Sequence, residues 1–360
     1  MGKRTFRCIS VNKNKHILIK NIYYMLSYSF NALRQAHYED MAKEEFENIH
    51  DLFAAILTKG VGLQIKRGLY REYLPQSEEL ATVRGKINLS QTIHSKISRK
   101  HKINCEYDEL SEDNALNQIL KATAIILIGH NHVDRTRKNE LKKVMLFFSN
   151  ISDIDLSTIK WGQLSFHRNN STYKMLIGIC QLIAEGMLLT TEKGIHKLAT
   201  FIDDVRMHKL YEAFILEYYK KEHHWLKIDP PEIQWDIDDN VSEKLPRMIS
   251  DVTLTHKNKT LIIEAKYYSR TLQQYYDAHT IRSMHLYQIY TYVKNKAAKF
   301  PHQNVSGILL YARTDEFVLP NNSYNMGGNN INVRTLDLNK EFSCIASELD
   351  EIVSKLLVDL

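Results

Sequence analysis

At 360 residues the chain is longer than one hydrophobic core usually serves, so two domains are expected. Hydrophobic residues make up 44% and charged residues 25%, which excludes a disordered or collagen-like chain and leaves an ordinary globular one. The formal net charge of +6 is compatible with a phosphate-backbone partner without requiring one. Cys8, Cys105, Cys180 and Cys344 are far apart and form no CxxC, which points to a reducing compartment and packing roles. The start lacks the apolar segment of a secretory signal, and the apolar runs, such as Ala122 to Ile128, are too short to span a bilayer. A cytoplasmic protein without a membrane partner is expected.

In chain order, residues 1–20 are basic and lean towards β at His16–Lys20, a short strand or arm. Residues 21–33, NIYYMLSYSFNAL, carry apolar side chains at helical spacing with aromatic residues on several faces, so a helix in a core or an interface is expected. Residues 51–71 read as a long helix interrupted by glycines. Residues 80–93, LATVRGKINLSQTI, alternate enough for strands. A cationic loop or strand follows, whose Lys96, Arg99, Lys100 and Lys102 suit either nucleic-acid contact or a solvated face. Ser111 is read as the N-cap of a helix running through residues 111–131. His130-Asn131-His132 is not an HNH nuclease motif, whose residues are spread over a ββα unit, and no carboxylate or cysteine lies at zinc-ligand spacing from it. Residues 173–189 form a core helix. Residues 1–200 are thus expected to be a mostly helical domain with a small β portion and no catalytic cluster, and residues 201–360 a second domain. The latter opens with a helix whose stripe is Met207, Leu210, Tyr211, Phe214, Ile215 and Tyr218, with Glu212 and Glu217 flanking it, either within reach of a metal in one reading but both better read as exposed edges.

Candidate chemistry gathers at residues 250–266, SDVTLTHKNKTLIIEAK. Apolar and β-branched residues on either side of His256–Lys259 predict two strands joined at Lys257-Asn258. A symmetric hairpin about that turn places Asp251 across from Glu264, with Cβ atoms about 4.5–5.5 Å apart. Two carboxylates that close repel unless a cation sits between them. The period of two puts Lys266 on the same face as Glu264, while Ala265 points the other way. An acid followed by acid-x-lysine on a hairpin is the PD-(D/E)xK nuclease signature. Phosphodiester hydrolysis needs an ion that polarises the phosphoryl oxygen and lowers the pKa of the attacking water. Hard oxygen ligands with open positions suit magnesium, with manganese as a substitute. The expected roles are Asp251, Glu264 and the Ala265 carbonyl as metal ligands, and Lys266 positioning the nucleophile.

Residues 280–300 predict a further helix with His285, Gln288 and Tyr292 on one face. A Gln-x-x-x-Tyr helix after the lysine strand also occurs in RecB-like nucleases, where the glutamine supports the site. Strands at Val305–Arg313 and Ile331–Leu338 and a closing helix complete an α/β sheet flanked by helices. The fold class expected is therefore α/β, a helical N-terminal domain followed by a restriction-endonuclease-like domain.

Several separate segments in matching order resemble the McrC family, the nuclease subunit of McrBC-type restriction systems. They are KNIYYMLSYSF at 20–30, VRGKINLSQTI at 83–93, SEDNALNQILKAT at 111–123, LPRMISDVTL at 245–254, IIEAKYY at 262–268 and LYQIYTY at 286–292. The resemblance implies a catalytic set of Asp251, Glu264 and Lys266 with Gln288 in support, although relatives often carry aspartate where Glu264 stands. It further implies double-stranded DNA with modified bases as substrate. The implied partner is a McrB-like AAA+ GTPase hexamer, docked through the N-terminal half and stimulated by it. No G-x-x-x-x-G-K-[ST] loop occurs in the sequence, so GTP is expected to be used by the partner. The alternative function is a non-catalytic coupling subunit that only binds and activates the ring.

Overall fold

The computed structural model describes residues 19–34, 38, 40–41, 44, 46, 48–167, 171–188, 198–239, 242–267, 272–275, 278–313 and 319–357. The arm expected at residues 1–20 lies almost wholly outside them. The chain divides into two compact units, one formed by Asn48–Leu188 and the other by Met1–Glu47 together with Leu189–Leu360.

Helix α1 (Ile19–Ser29) packs on α7 (Leu198–Glu222) and so belongs with the C-terminal residues, although its sequence neighbours are the N-terminal ones. Its aromatic side chains explain this. Tyr28 meets Phe214, Tyr218 and Phe342, and Tyr24 stacks on Phe342 at 4.4 Å. The Asn21 amide donates to the Leu338 and Lys340 carbonyls, which anchors the helix to the chain just before the closing helix.

In the Asn48–Leu188 unit, α2 (Ile49–Arg67), α4 (Ala115–Gly129), α5 (Arg135–Met145) and α6 (Ser171–Leu188) pack together around Leu52, Ile56, Ile119, Leu127, Leu141 and Ile179. The cap of α4 is Asn114, whose side chain accepts from Asn117 N, and not the expected Ser111. Ser111 instead accepts from the Asp113 amide, a tighter local turn ahead of the helix. A small sheet in the order β1 (Glu72–Leu80), β3 (Ile103–Ser111), β2 (Lys86–Ile87) carries α3 (Leu89–Ile97). Strands were expected throughout residues 80–93, but Asn88 caps α3 by accepting from Gln91 N, and the chain turns helical there. The cationic stretch after it is thus partly helix. Among the described residues no helix is long and apolar enough to cross a membrane.

The other unit is built on a six-stranded sheet in the order β12 (Asn322–Met326), β13 (Asn329–Leu336), β11 (Asn304–Ala312), β8 (Lys259–Lys266), β7 (Val252–His256), β4 (Lys227–Ile228). Strands β8, β11 and β13 are parallel, and β7 runs antiparallel to β8. Two-stranded pairs are formed by β5 (Glu232–Ile233) with β6 (Met248–Ile249), and by β9 (Leu272–Tyr275) with β10 (Ala278–Ile281). Strands β8 and β11 are buried nearly end to end because both sheet faces are covered. Helix α8 (Ser283–Lys299) lies on one face against Ile262, Val305, Leu309, Ile331 and Val333, while α7 and α9 (Phe342–Leu357) contact β8 from the other. Each fully buried aliphatic side chain in this core contributes about 1.5–3 kcal/mol. The expected α/β sheet between helices is what the chain forms.

Helix α8 sits close on the sheet at Gly307, where a Cβ would come within 2.7 Å of both Ile289 Cγ1 and Val293 Cγ2. Gly307→Ala should therefore cost about 1–3 kcal/mol, read as a lower denaturant midpoint with an unchanged slope. An unaltered midpoint would contradict this seating of α8.

Candidate active site

The hairpin forms in the expected register. Val252 pairs with Ile263, Thr253 with Ile262, and so on to His256 with Lys259, with the turn at Lys257-Asn258. Asp251 stands one residue before β7, and the same register brings it opposite Glu264. Its amide donates to Glu264 Oε1 at 3.4 Å, and its own Oδ2 accepts from Ala265 N at 2.8 Å. Lys266 Nζ reaches Glu264 Oε2 at 2.8 Å, which fits the shared face expected from the strand period. Because β8 is a central strand, Glu264 is fully buried and Lys266 nearly so.

This burial sets the electrostatics. Desolvation, then the Glu264 carboxylate, push the Asp251 carboxyl well above the usual carboxylate range, with Lys266 opposing and Glu212 adding to the rise. Burial also raises Glu264, and Lys266 is the main influence against it. An acid pair that resists ionisation when no cation is present is what a divalent ion relieves.

Gln288 lies on α8 and donates from Nε2 to the Tyr292 hydroxyl at 3.2 Å, which in turn donates to the Ile249 carbonyl at 3.2 Å. Gln288 therefore acts on the strand that leads into Asp251 and does so through Tyr292. On the same helix His285 Nδ1 bonds the Tyr311 hydroxyl at 2.8 Å, and Tyr311 is the parallel-register partner of Lys266. Burial first, then the charges of Lys266, Arg282 and His208, lower the His285 pKa to about 4, so the imidazole is neutral at physiological pH.

Helix α7 supplies groups that sequence reasoning left at its edge. Glu212 is half-buried, and its charge raises the carboxyl pKa of both Asp251 and Glu264. His208 Nδ1 accepts from Tyr267 N at 3.4 Å, which leaves the ring proton on Nε2 to meet Glu212 Oε1 at 2.9 Å. The i, i+4 spacing of His208 and Glu212 was the available signal. Glu217 pairs with Lys220 at 2.8 Å and takes no part. His130 and His132 stack with His50 at ring separations of 4.0 and 6.2 Å, and no metal-binding group of three or more His, Cys, Asp or Glu occurs among the described residues.

Residues 6–312 match the family model described as McrBC 5-methylcytosine restriction system component. The chain belongs to the McrBC family. It is 29% identical over 345 residues to the type IV methyl-directed restriction enzyme EcoKMcrBC of Escherichia coli (strain K12), covering 95% of this chain and 98% of that relative. Two solved structures are similar. One is a refined half-complex from a tetradecameric assembly of Thermococcus gammatolerans McrB AAA+ hexamers with bound McrC, 19% identical over 93% of this chain and 76% of that one, with a TM-score of 0.49. The other is the T. gammatolerans McrBC complex, 23% identical over 59% of this chain and 60% of that one, with a TM-score of 0.41.

In this McrBC-family chain the side-chain donor set at the hairpin is two adjacent carboxylates, not a closed cage. That composition fits magnesium, which keeps several waters and binds through one or two carboxylates plus substrate phosphate oxygens.

A carboxyl whose folded pKa is raised binds its proton more tightly in the native state, so without cation the native state loses stability as pH rises from the usual carboxylate range towards the raised value. Asp251→Asn removes that ionisation. The cation-free variant should be more stable than wild type by about 1–2 kcal/mol near neutral pH, and the two should converge at about pH 4. Added Mg²⁺ should raise the melting temperature of the wild type and leave the variant unmoved. Lower stability of the variant at every pH would contradict this account.

Proposed function

We propose that this chain is the magnesium-dependent DNA endonuclease subunit of a McrBC-type restriction system, acting in the cytoplasm. The observation that carries the reading is the side-by-side placement of Asp251 and Glu264, with Lys266 on the same face, in a member of a restriction-system family. Asp251, Glu264 and the Ala265 carbonyl are the groups that would hold the ion. When bound, magnesium supplies Lewis acidity at the phosphoryl oxygen and an acidified water. Lys266 presents its ammonium to the attacking water or to a phosphate oxygen. Gln288, through Tyr292 and the Ile249 carbonyl, holds the strand that carries Asp251 in place. Glu212 adds negative charge beside the pair, which favours a cation there.

The natural partner in this reading is a McrB-like AAA+ GTPase hexamer, which uses the GTP, and the substrate is double-stranded DNA carrying modified bases. Support within the chain comes from the small sheet of the Asn48–Leu188 unit. Helix α3 is inverted: Thr92 and Ser95 face inward, bonded to Asn104 and Glu79, whereas Leu89, Ile93 and Ile97 form an exposed stripe at i, i+4, i+8. Tyr73 and Leu110, direct partners across β1 and β3, are exposed as well. An apolar stripe held outward by buried polar bonds is the property of a docking surface.

Two measurements test these roles. With the cognate ring, modified DNA, Mg²⁺ and GTP, Asp251→Ala should abolish cutting while stimulated GTP hydrolysis persists. Unchanged cutting would end the nuclease assignment, and an uncut substrate with wild-type protein would favour the coupling-only alternative. Ile93→Glu should weaken assembly with the ring by about tenfold or more without lowering the melting temperature, since the side chain is exposed. Wild-type assembly by this variant would remove α3 from the interface.

A further inference from the structure

Between α9 and the sheet, at the C-terminal ends of β11 and β13, lies a cavity of about 490 Å³. Leu310, Leu336 and Ile352 give it buried apolar walls, and Arg313, Arg334, Lys340 and Lys355 bring cations to it. Its carboxylates are already committed, Asp337 to Arg313, Glu348 to Lys340 and Glu351 to Lys355. Arg334 has neither an ion pair nor a hydrogen bond among the described residues. Arg313 Nε is buried without an acceptor, although Nη1 of the same guanidinium holds Asp337. Two guanidinium groups with donors to spare therefore line one cavity.

The strand register locates the cavity relative to the acid pair. Ala265 pairs with Leu310 and Leu310 with Arg334, so Arg334 stands two strands from β8, about 10 Å away across the sheet. Glu264 shares with Ile262 the sheet face under α8, whereas Arg334 alternates with Val333 and leaves the sheet on the opposite face, towards α9. The cavity and the acid pair thus share the C-terminal edge of the sheet but not a face. Ligands of open α/β sheets settle in crevices beyond the carboxyl ends of the strands, where the chain departs to either side.

We infer that this cavity is a second binding site, separate from the acid pair, for the phosphate monoester of a nucleotide. The planar guanidinium fork matches phosphate oxygens. A monoester presents three terminal oxygens and so meets Arg334 and Arg313 Nε together, while the two oxygens of a carboxylate are occupied by one fork. A phosphodiester within a duplex also has only two, and the sugars on both sides keep it out of a cavity. The leucine walls suit the face of a base, and the paired Glu348 and Glu351 can still accept from sugar hydroxyls. The volume falls in the range that encloses small organic ligands. The monoester has two sources, a free nucleotide and the 5′ end of a cut strand, and the test separates them.

The test is calorimetric titration of the full chain, in EDTA, with adenosine 5′-monophosphate, with adenosine, and with a short duplex carrying or lacking 5′-phosphates. The monophosphate should bind the wild type at least tenfold more tightly than adenosine. Arg334→Ala should lose at least tenfold in that affinity and Arg334→Lys less, since lysine keeps the charge and not the fork. Both variants should melt with the wild type, because Arg334 has no partner to lose. Asp251→Ala should bind the monophosphate as the wild type does. Preference for the phosphorylated duplex, lost in Arg334→Ala, with no binding of the free nucleotide would support the site and assign it to strand ends. Equal affinity for adenosine and its monophosphate, unchanged binding by Arg334→Ala, no binding of either monoester, or loss of binding in Asp251→Ala would each overturn the site. The nuclease reading fails separately, through cutting that survives Asp251→Ala.

Discussion

Two carboxylates that repel each other are held side by side by a hairpin that cannot let them part. The faces of β7 and β8 are buried, so a slip of one residue would turn Ile262, Glu264 and Lys266 to the opposite face and expose or misplace the core. Register is thus fixed by hydrophobic burial, and the register fixes the distance between Asp251 and Glu264. The remaining features answer to that constraint. Lys266 offsets part of the negative charge, the Ala265 amide holds Asp251, and Gln288 and Tyr292 brace the approach strand.

The cost of the arrangement is ionisation in a desolvated place. A protein selected for stability alone would not put Glu212 beside two buried acids, and a charge there raises both of their pKa values further. Such a conflict between local stability and electrostatics marks functional sites. The neutral imidazole of His285, held by Tyr311 next to Lys266, avoids adding a positive charge that would compete for the same carboxylates.

What could be read from the sequence was local. The hairpin, its turn and the shared face of Glu264 and Lys266 follow from a period of two over seventeen residues, and the Gln288 helix from a period of 3.6. His208 and Glu212 left only their i, i+4 spacing as a signal and Tyr311 left none, because α7 and β11 meet β8 only through tertiary packing, 45 or more residues from it in the cases of His208 and Tyr311. Helix α3 was mistaken for strand because its outward residues, Leu89, Ile93 and Ile97, mimic a buried pattern while Asn88 provides a cap that alternation hides. Strand β1, with Pro75 and mostly polar residues, gave no strand signal at all. Helix α1 was grouped with its chain neighbours, whereas its tyrosines pack on α7 and Phe342.

The central claim is that the acid pair on the hairpin is a divalent-cation site. Anomalous diffraction from crystals of the full chain soaked in Mn²⁺ tests it directly, since manganese shares magnesium's preference for oxygen ligands and scatters anomalously. The account predicts a peak bridging the Asp251 and Glu264 carboxylates, absent from Asp251→Asn crystals treated in the same way. A map with no peak there, or with manganese bound elsewhere while Asp251 and Glu264 stay empty, would contradict it.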